Sequence, residues 1–409
     1  MERVVERGNV KAALKRVKQN KGSPGVDAMT VDELPKHLVE NWEMLRAQLL
    51  SGNYQPKPVR EVEIPKSGGG VRKLGIPTVL DRFLQQSILQ VLQPMFDPTF
   101  SEHSHGFRPG RSAHDAICEA QQYIQSGKRV VADVDLERFF DRVNHDVLMG
   151  RLEKRIVDKR MLGLIRRYLT AGMMADGVVQ ERSEGTPQGG PLSPLLANVL
   201  LDEVDKELEK RGLLFVRYAD DLNVYVGSQR AGEDAMRMLQ HLYADLGLRI
   251  NQTKSAVGSP LYRTFLGYSF YLAPGKTVKR RAAHKALETM KRRVREITSR
   301  NRGRSMRQVF EELRNYLLGW KQYFQLADTP QIFKKLDEWI RHRLRAQQLH
   351  QWERGPTIYR ELRALGASAQ LAARVAAGAP RWWRTAGKYL NIALQTSYFD
   401  NVGIPRLAS

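Results

Sequence analysis

Asp220 and Asp221 stand side by side after the β-rich run Phe215-Val216-Arg217-Tyr218, and paired carboxylates at a hairpin tip suit hard divalent cations. Mg2+ takes oxygen ligands, usually only one or two of them carboxylates, with water and phosphate filling the other positions. Two such ions about 4 Å apart activate an attacking hydroxyl and stabilise a leaving pyrophosphate. A site of that kind needs a further carboxylate from a neighbouring strand. Asp135, near the end of a run from Val130, is one candidate, but Asp133 and Asp141 qualify too, and all three serve equally well as capping or surface residues. Tyr-x-Asp-Asp is too short a string to decide the matter alone.

Regular elements must carry these groups. Val130 to Leu136 has the apolar alternation of a strand, and Leu213 to Val226 reads as two β-rich runs meeting at Ala219-Asp220-Asp221. Leu80, Phe83, Leu84, Ile88, Val91, Leu92 and Met95 recur at helical spacing, as do Leu195, Leu196, Val199, Leu200, Val204 and Leu208, with Gly212 closing the second run. Ser112 with Asp115 predicts a capped helix start towards Gly127. A helix is expected from near Asn144 and another over 232–246, then a short strand at Leu248 to Asn251 and a strand pair around Phe265 to Tyr271. Val59 to Ile64, the turn Ser67-Gly68-Gly69-Gly70 and Val71 to Leu74 predict a β-hairpin with a basic tip. The first 50 residues alternate helical patches with a loop at Asn20 to Asp27. Beyond Lys276 strand signals nearly vanish, basic residues far outnumber acidic ones, and helices are expected near 283–299, 305–326 and 330–349. The expected class is α+β.

Composition restricts the partners. The chain has 409 residues and 42% hydrophobic content, enough for a sizeable core. Its 66 Lys+Arg against 44 Asp+Glu leave +22, which favours a polyanion, because neutralised phosphates release counterions. No apolar run of about 18 residues suits a membrane, and Met1-Glu2-Arg3-Val4-Val5-Glu6-Arg7 lacks an apolar signal core, so a cytoplasmic location is expected. Cys118 is the only cysteine, which excludes an intrachain disulfide and a paired-cysteine zinc site. The nine histidines, His103 and His105 among them, form no His-Glu-x-x-His pattern.

Longer segments carry a resemblance. Val131-Ala132-Asp133-Val134-Asp135-Leu136-Glu137-Arg138-Phe139-Phe140-Asp141, then Thr186-Pro187-Gln188-Gly189-Gly190-Pro191-Leu192-Ser193-Pro194, then Tyr218-Ala219-Asp220-Asp221 resemble successive reverse-transcriptase motifs in their usual order. The closer match is to the group II intron reverse transcriptase/maturase family. Ile64-Pro65-Lys66, Arg72 to Pro77 and His105-Gly106-Phe107-Arg108-Pro109-Gly110-Arg111 support it upstream, and Phe265-Leu266-Gly267-Tyr268 and Gly319-Trp320-Lys321-Gln322-Tyr323-Phe324 downstream. The resemblance covers essentially the whole chain.

What it implies is a right-hand polymerase: fingers and a palm with an antiparallel sheet, an α-helical thumb or maturase domain, and a small basic C-terminal region. The parts are expected as 1–80 (N-terminal extension and fingers), 81–275 (fingers and palm core), 276–350 (thumb) and 351–409 (a DNA-binding-like region). The implied activity is RNA-directed DNA polymerisation with two Mg2+ ions, Mn2+ able to substitute, together with binding of intron RNA that assists splicing and retromobility. By position, Asp135, Asp220 and Asp221 are the implied metal ligands, with Leu136 at both the metal and the dNTP, and Lys254 the candidate acid for the pyrophosphate. Arg60, Lys66 and Arg72 fit triphosphate clamps, Phe140 the gate that excludes a ribose 2′-hydroxyl, and Gln188 the segment beside the templating base.

Read without the resemblance, Lys66 and Arg72 are a solvated hairpin tip and Phe140 is a core residue. Nucleic-acid contacts are expected from Lys18, Lys21, Arg108 and Arg111, and from Arg280, Arg281, Arg292, Arg293 and Arg295 in the thumb. Trp320 and Tyr323 read as bundle packing; Trp382-Trp383-Arg384 reads either as packing or as a platform for unpaired bases. Expected partners are an RNA template with a DNA primer, dNTPs, group II intron RNA and target DNA, and no membrane; the oligomeric state is not legible. Neither a zinc-associated endonuclease nor an RNase H segment is expected. The rival readings are a splicing cofactor without polymerase activity and a domesticated relative in DNA repair or defence.

Overall fold

The computed structural model describes residues 1–65, 71–175, 178–180, 184–186, 189–299 and 303–408. Within it the chain forms two compact units, Met1–Arg263 and Thr264–Ser409. Lys66, Gln188 and the expected turn at 67–70 lie outside the described residues.

The first unit opens with helices Arg7–Asn20 (α1) and Leu34–Ser51 (α2). The expected hairpin follows as Val59–Pro65 (β1) and Val71–Ile76 (β2), paired antiparallel from Arg60↔Ile76 to Pro65↔Val71. Val79–Phe96 (α3) starts where the Thr78 side chain accepts from the Asp81 amide at 3.0 Å, and it buries Phe83, Leu84, Ile88 and Leu92. Ala113–Gln125 (α4) has the full capping box of Ser112 and Asp115. Val130–Val134 (β3), His145–Glu153 (α5) and Lys159–Thr170 (α6) come next. Two short strands had no legible signal, Met173–Ala175 (β4) and Val178–Gln180 (β5). They extend the hairpin to a four-stranded sheet of order β2-β1-β4-β5, in which β1 and β4 run parallel.

Ser193–Lys210 (α7) buries the whole expected apolar face and ends at Gly212, whose φ of 66° is the left-handed closure a helix C-terminus favours. Leu214–Tyr218 (β6), Asp221–Val226 (β7), Gln229–Asp245 (α8) and Ala256–Gly258 (β8) complete the unit. Its second sheet, order β6-β7-β3-β8, is antiparallel throughout. Val131, Ala132, Val134, Leu222 and Val224 from this sheet are buried, and Phe215, Leu239 and Tyr243 join them. The strand expected at Leu248 to Asn251 reduces to one bridge, Leu136↔Ile250. It stops there because Asn251 turns the chain, its side-chain oxygen accepting from the Thr253 and Lys254 amides.

The second unit begins with a small antiparallel sheet of Thr264–Phe265 (β9), Tyr268–Ala273 (β10) and Thr277–Ala282 (β11). The strand β11 corrects the expectation that strands end by Lys276: its basic residues are tolerated because only Val278 and Ala282 of the six are buried. The expected helices are present as His284–Ile297 (α9), Met306–Tyr323 (α10) and Pro330–Trp352 (α11). Shorter helices follow: Gly355–Ala364 (α12), Ala369–Ala377 (α13), Trp382–Lys388 (α14), Leu390–Ala393 (α15) and Thr396–Asn401 (α16). Trp320 is buried and meets Phe333 of α11 edge-on at 5.4 Å between ring centroids, so it helps join α10 to α11. Among the described residues no helix is long and apolar enough to cross a membrane.

Candidate active site

Antiparallel register brings the carboxylates together. Tyr218 pairs with Asp221 across a two-residue turn, so Asp220 occupies the tip of the β6–β7 hairpin. On the other side β7 pairs with β3, ending at Val134↔Leu222, and one further step along both strands sets Asp135 across from Asp221. Asp133 lies two residues back along β3, opposite Asn223. Arg263 Nε donates to its carboxylate at 2.9 Å and its Nη2 completes the ion pair at 2.7 Å, and burial raises its carboxyl above the ordinary range even so. Asp141 is exposed at the end of a short 3-10 turn, Phe139–Asp141. Of the three alternatives open in the sequence, the strand register places Asp135 beside the pair.

The turn is held under strain by a buried network. Ala219 has φ 58°, a left-handed value that a side-chain-bearing residue adopts at a cost of roughly 1–3 kcal/mol. Arg217 Nη1 donates to the Ala219 carbonyl at 2.9 Å and to Asn198 Oδ1 at 3.0 Å, while its Nε donates to Asp205 at 2.8 Å. Asn198 in turn donates to the Gly106 carbonyl at 2.9 Å. Gly106 packs so closely on the Ala219 amide that any Cβ would collide with it. The segment before it runs beside β6: Arg217 donates to His103 O, and the His105 amide to Arg217 O, both at 2.9 Å. His103, His105 and Tyr123 all donate to Glu119. Burial opposes ionisation of Glu119, but those three bonds outweigh it and bring the carboxyl down to about 2. None of Arg217, Asp205, Asn198 and Gly106 was singled out as a site residue in the sequence; the only signal is an arginine inside an otherwise apolar strand.

The electrostatics ask for a cation. Loss of hydration, then repulsion from Asp220, Asp135 and Asp133, pushes Asp221 up to about 7. It stands at the solvent-exposed start of β7, where a cation can reach it. Lys254 supplies one positive charge, its ammonium donating to both Asp135 oxygens at 3.1 and 3.2 Å. Among the described residues no three potential ligands are closed to metal-binding spacing. The donors nonetheless fit Mg2+ in kind, being hard oxygens gathered with like charge at one sheet end. Leu136 is buried, and the bonds of its bridge to Ile250 are made by Glu137 and Asn251 rather than by its own backbone groups.

The remaining expected residues divide. Phe140 is half-buried between Phe107 and Phe139, edge-on to both with centroids 6.5 and 5.0 Å away. Its carbonyl accepts from the Thr186 amide at 2.7 Å, which ties the gate candidate to the motif loop. That loop then runs against β2 at Gly189, where a Cβ would sit 2.6 Å from Gly75 O and φ is 137°. Arg60 lies on β1 between β2 and β4, and Arg72 pairs with Ile64 in the backbone. Lys18, Lys21, Arg281, Arg292 and Arg295 are exposed. Arg111 and Arg293 are held by Glu102 and by Glu296 and Glu312, respectively.

Two further residues expected at nucleic acid have partners within the fold. Arg108 is 8% exposed, bonded to Asp97 and to the Ser104 carbonyl at 2.9 Å, so it braces its own loop. Arg280 is tied to Asp328 through its backbone amide at 2.9 Å and its Nε at 3.3 Å. The surrounding fold uses both guanidinium groups.

Two regions of the chain match known families. Residues 64–270 match the family model "Reverse transcriptase (RNA-dependent DNA polymerase)", and residues 287–366 match "Group II intron, maturase-specific domain". Protein YkfC of Escherichia coli (strain K12) is 35% identical over 58% of this chain and 72% of its own length. Group II intron-encoded protein LtrA of Lactococcus lactis subsp. cremoris is 40% identical over 39% of this chain, which spans only 26% of LtrA. The solved Partial Cas6-RT-Cas1--Cas2 complex contains a chain 26% identical, aligned over 58% of this chain and 41% of that one at TM-score 0.38. With the polymerase match over half its residues and the maturase match following it in order, this chain belongs to the reverse transcriptases of the group II intron type.

Proposed function

We propose that the chain extends a DNA primer on an RNA template from dNTPs, and that it binds a group II intron RNA to assist splicing and retromobility, with target DNA as a further partner. The observation that carries this reading is the register setting Asp135 across from Asp221 and next to Asp220. Those carboxylates, with the Leu136 backbone, would hold two Mg2+ ions, or Mn2+ in their place. When bound, the metals supply activation of the primer hydroxyl and neutralisation of the leaving pyrophosphate.

The chain's own groups do the rest. We assign Arg60, Lys66 and Arg72 to the triphosphate and Gln188 to the base pair being formed. Phe140, braced by Phe107 and Phe139, fills the space a 2′-hydroxyl would need. Lys254, already on Asp135, is within the site to protonate the pyrophosphate. Lys18, Lys21, Arg281, Arg292 and Arg295 are the exposed cations we assign to phosphates. The excess of basic over acidic residues favours action on nucleic acid, which we place at the nucleoid of a bacterial cytoplasm. Asp220→Asn tests the reading: primer extension on RNA should vanish while RNA binding persists, and full extension by this variant would overturn the metal assignment.

A further inference from the structure

Within the second unit, α9, α11 and α14 enclose a cavity of about 220 Å³. Arg295, Arg343, Trp382, Trp383, Thr298 and Gln347 are among the residues that line it. No carboxylate lines it among the described residues, so its charge is positive. Arg295 and Arg343 each lie 5.6 Å from the centre of the Trp339 ring, so one indole contacts both cations. Arg343 is further fixed by donating to Thr298 Oγ1 at 2.8 Å. Trp383 stacks on His342, 4.0 Å between centroids and 18° from parallel, while His342 bonds the Trp383 carbonyl at 2.9 Å. Trp382 meets Trp383 edge-on at 5.6 Å.

Gln347 carries the decisive feature. The residue is 4% exposed, it lines this cavity, and its Oε1 has no hydrogen-bond donor. A buried amide oxygen without a donor costs roughly 1–3 kcal/mol, so the site is built to receive a group that brings one. Guanidinium groups select a phosphate, indoles select a flat ring, and an orphan amide oxygen selects an amine on that ring. Ligand pockets for larger molecules run to roughly 300–1,000 Å³, so this volume suits one ring system with its phosphate outside.

We propose that this cavity takes a single extruded nucleotide of an unpaired RNA strand, its base bearing an exocyclic amine and its phosphate lying on Arg295 and Arg343. The inference rests on reading the chain as an RNA-binding polymerase and adds the position and chemistry of one contact. Base stacking on aromatic side chains is sequence-tolerant, whereas the Gln347 amide makes this contact selective for an amine donor, as glutamine is for adenine.

The test uses the full chain and short unstructured RNAs, with tryptophan fluorescence and equilibrium binding as readouts. An oligoadenylate should quench tryptophan, and replacing its adenosines by purine riboside, which lacks only the amine, should weaken binding about tenfold. Gln347→Leu should erase that difference, and Trp383→Ala should weaken both RNAs about tenfold. The same sequence as single-stranded DNA separates an RNA site from a general single-strand site; equal binding and selectivity there would overturn the assignment to RNA. Wild-type binding indifferent to the amine, no quenching, or full competition by inorganic phosphate would overturn the nucleotide pocket. Primer extension by the wild type, measured in parallel, reports on the polymerase itself, so its failure is distinguishable from failure of the pocket.

Discussion

Arg217 and Asp205 form an ion pair in which neither side chain has any exposed surface, with Arg217 Nε 2.8 and 3.0 Å from the two carboxylate oxygens. The same guanidinium reaches the Ala219 carbonyl, one residue before Asp220. The pair therefore anchors a strained turn to α7 and sets where the tip carboxylate stands.

Breaking that pair should cost both stability and activity. Removing one partner of a buried ion pair typically costs about 3–5 kcal/mol, whereas replacing both by apolar groups is often near neutral. Asp205→Asn should lower unfolding free energy by about 3 kcal/mol in denaturant melts. The double variant Arg217→Met with Asp205→Leu should regain most of that stability but not primer extension, because Ala219 and Asn198 stay without their donor. Recovery of extension in the double variant would show that the network does not position the turn.

Much of this site was legible in sequence, and the reasons it was incomplete are physical. Asp220 and Asp221 are adjacent, so their proximity needs no fold, and the helix faces of α3 and α7 follow from local period. Asp135 is different: its choice over Asp133 depends on pairing with a strand far along the chain, which only the resemblance supplied. Arg263 neutralising Asp133 is a contact across 130 positions with no local signal. Arg108 reads as a phosphate contact from its basic, Gly- and Pro-rich motif, and no local signal announces the Asp97 carboxylate and the Ser101 and Ser104 carbonyls that it also bonds. The strands β4, β5 and β11 are short or charged, and tertiary pairing rather than propensity made them.

Phe140→Ala should admit ribonucleotides. The ring's edge contacts to Phe107 and Phe139 keep it in place, and removing it opens room at C2′. The ratio of dNTP to rNTP incorporation should fall by at least about tenfold, a change of ~1.4 kcal/mol in transition-state discrimination. Loss of the aromatic contacts should cost about 1 kcal/mol of stability. Unchanged discrimination in single-nucleotide extension would remove Phe140 from the gate.

Lys254→Ala should slow the chemical step. A positioned acid contributes about 10²–10⁴-fold to rate, so kcat at saturating dNTP should drop by about 10²-fold with KM little changed. Lys254→Arg should restore the charge beside Asp135 but little of the rate, since guanidinium is a poor proton donor. A variant that only raises KM would make Lys254 a binding group instead.

Acid should loosen the segment beside the turn. Glu119 has its carboxyl brought from 4.5 to about 2, so its stabilising contribution is complete above about 4.5 and is lost as pH falls towards 2. His103 has the opposite sign: its bond to Glu119 raises it above 6.5, so that contribution is complete below 6.5 and declines as pH rises past the folded value. Glu119→Gln should therefore lower stability near neutral pH and flatten the loss between pH 4.5 and 2 in melts across pH. A wild-type acid limb surviving in the variant would place the sensitivity elsewhere.

Arg281 and Arg280 are neighbours on β11 with opposite expected behaviour. Arg281 is exposed with its guanidinium 5.7 Å from the Tyr271 ring centre, while Arg280 is bound to Asp328. Arg281→Gln should weaken RNA binding evenly across sequences and shallow the salt dependence by about one ion, as loss of one phosphate contact does. Arg280→Gln should leave the salt slope unchanged and instead lower the melting temperature, because Asp328 loses the side chain that ties β11 to the loop before α11. Binding isotherms at several salt concentrations, paired with thermal melts of both variants, decide between the roles. A lowered salt slope for Arg280→Gln would mean that its ion pair opens when RNA binds.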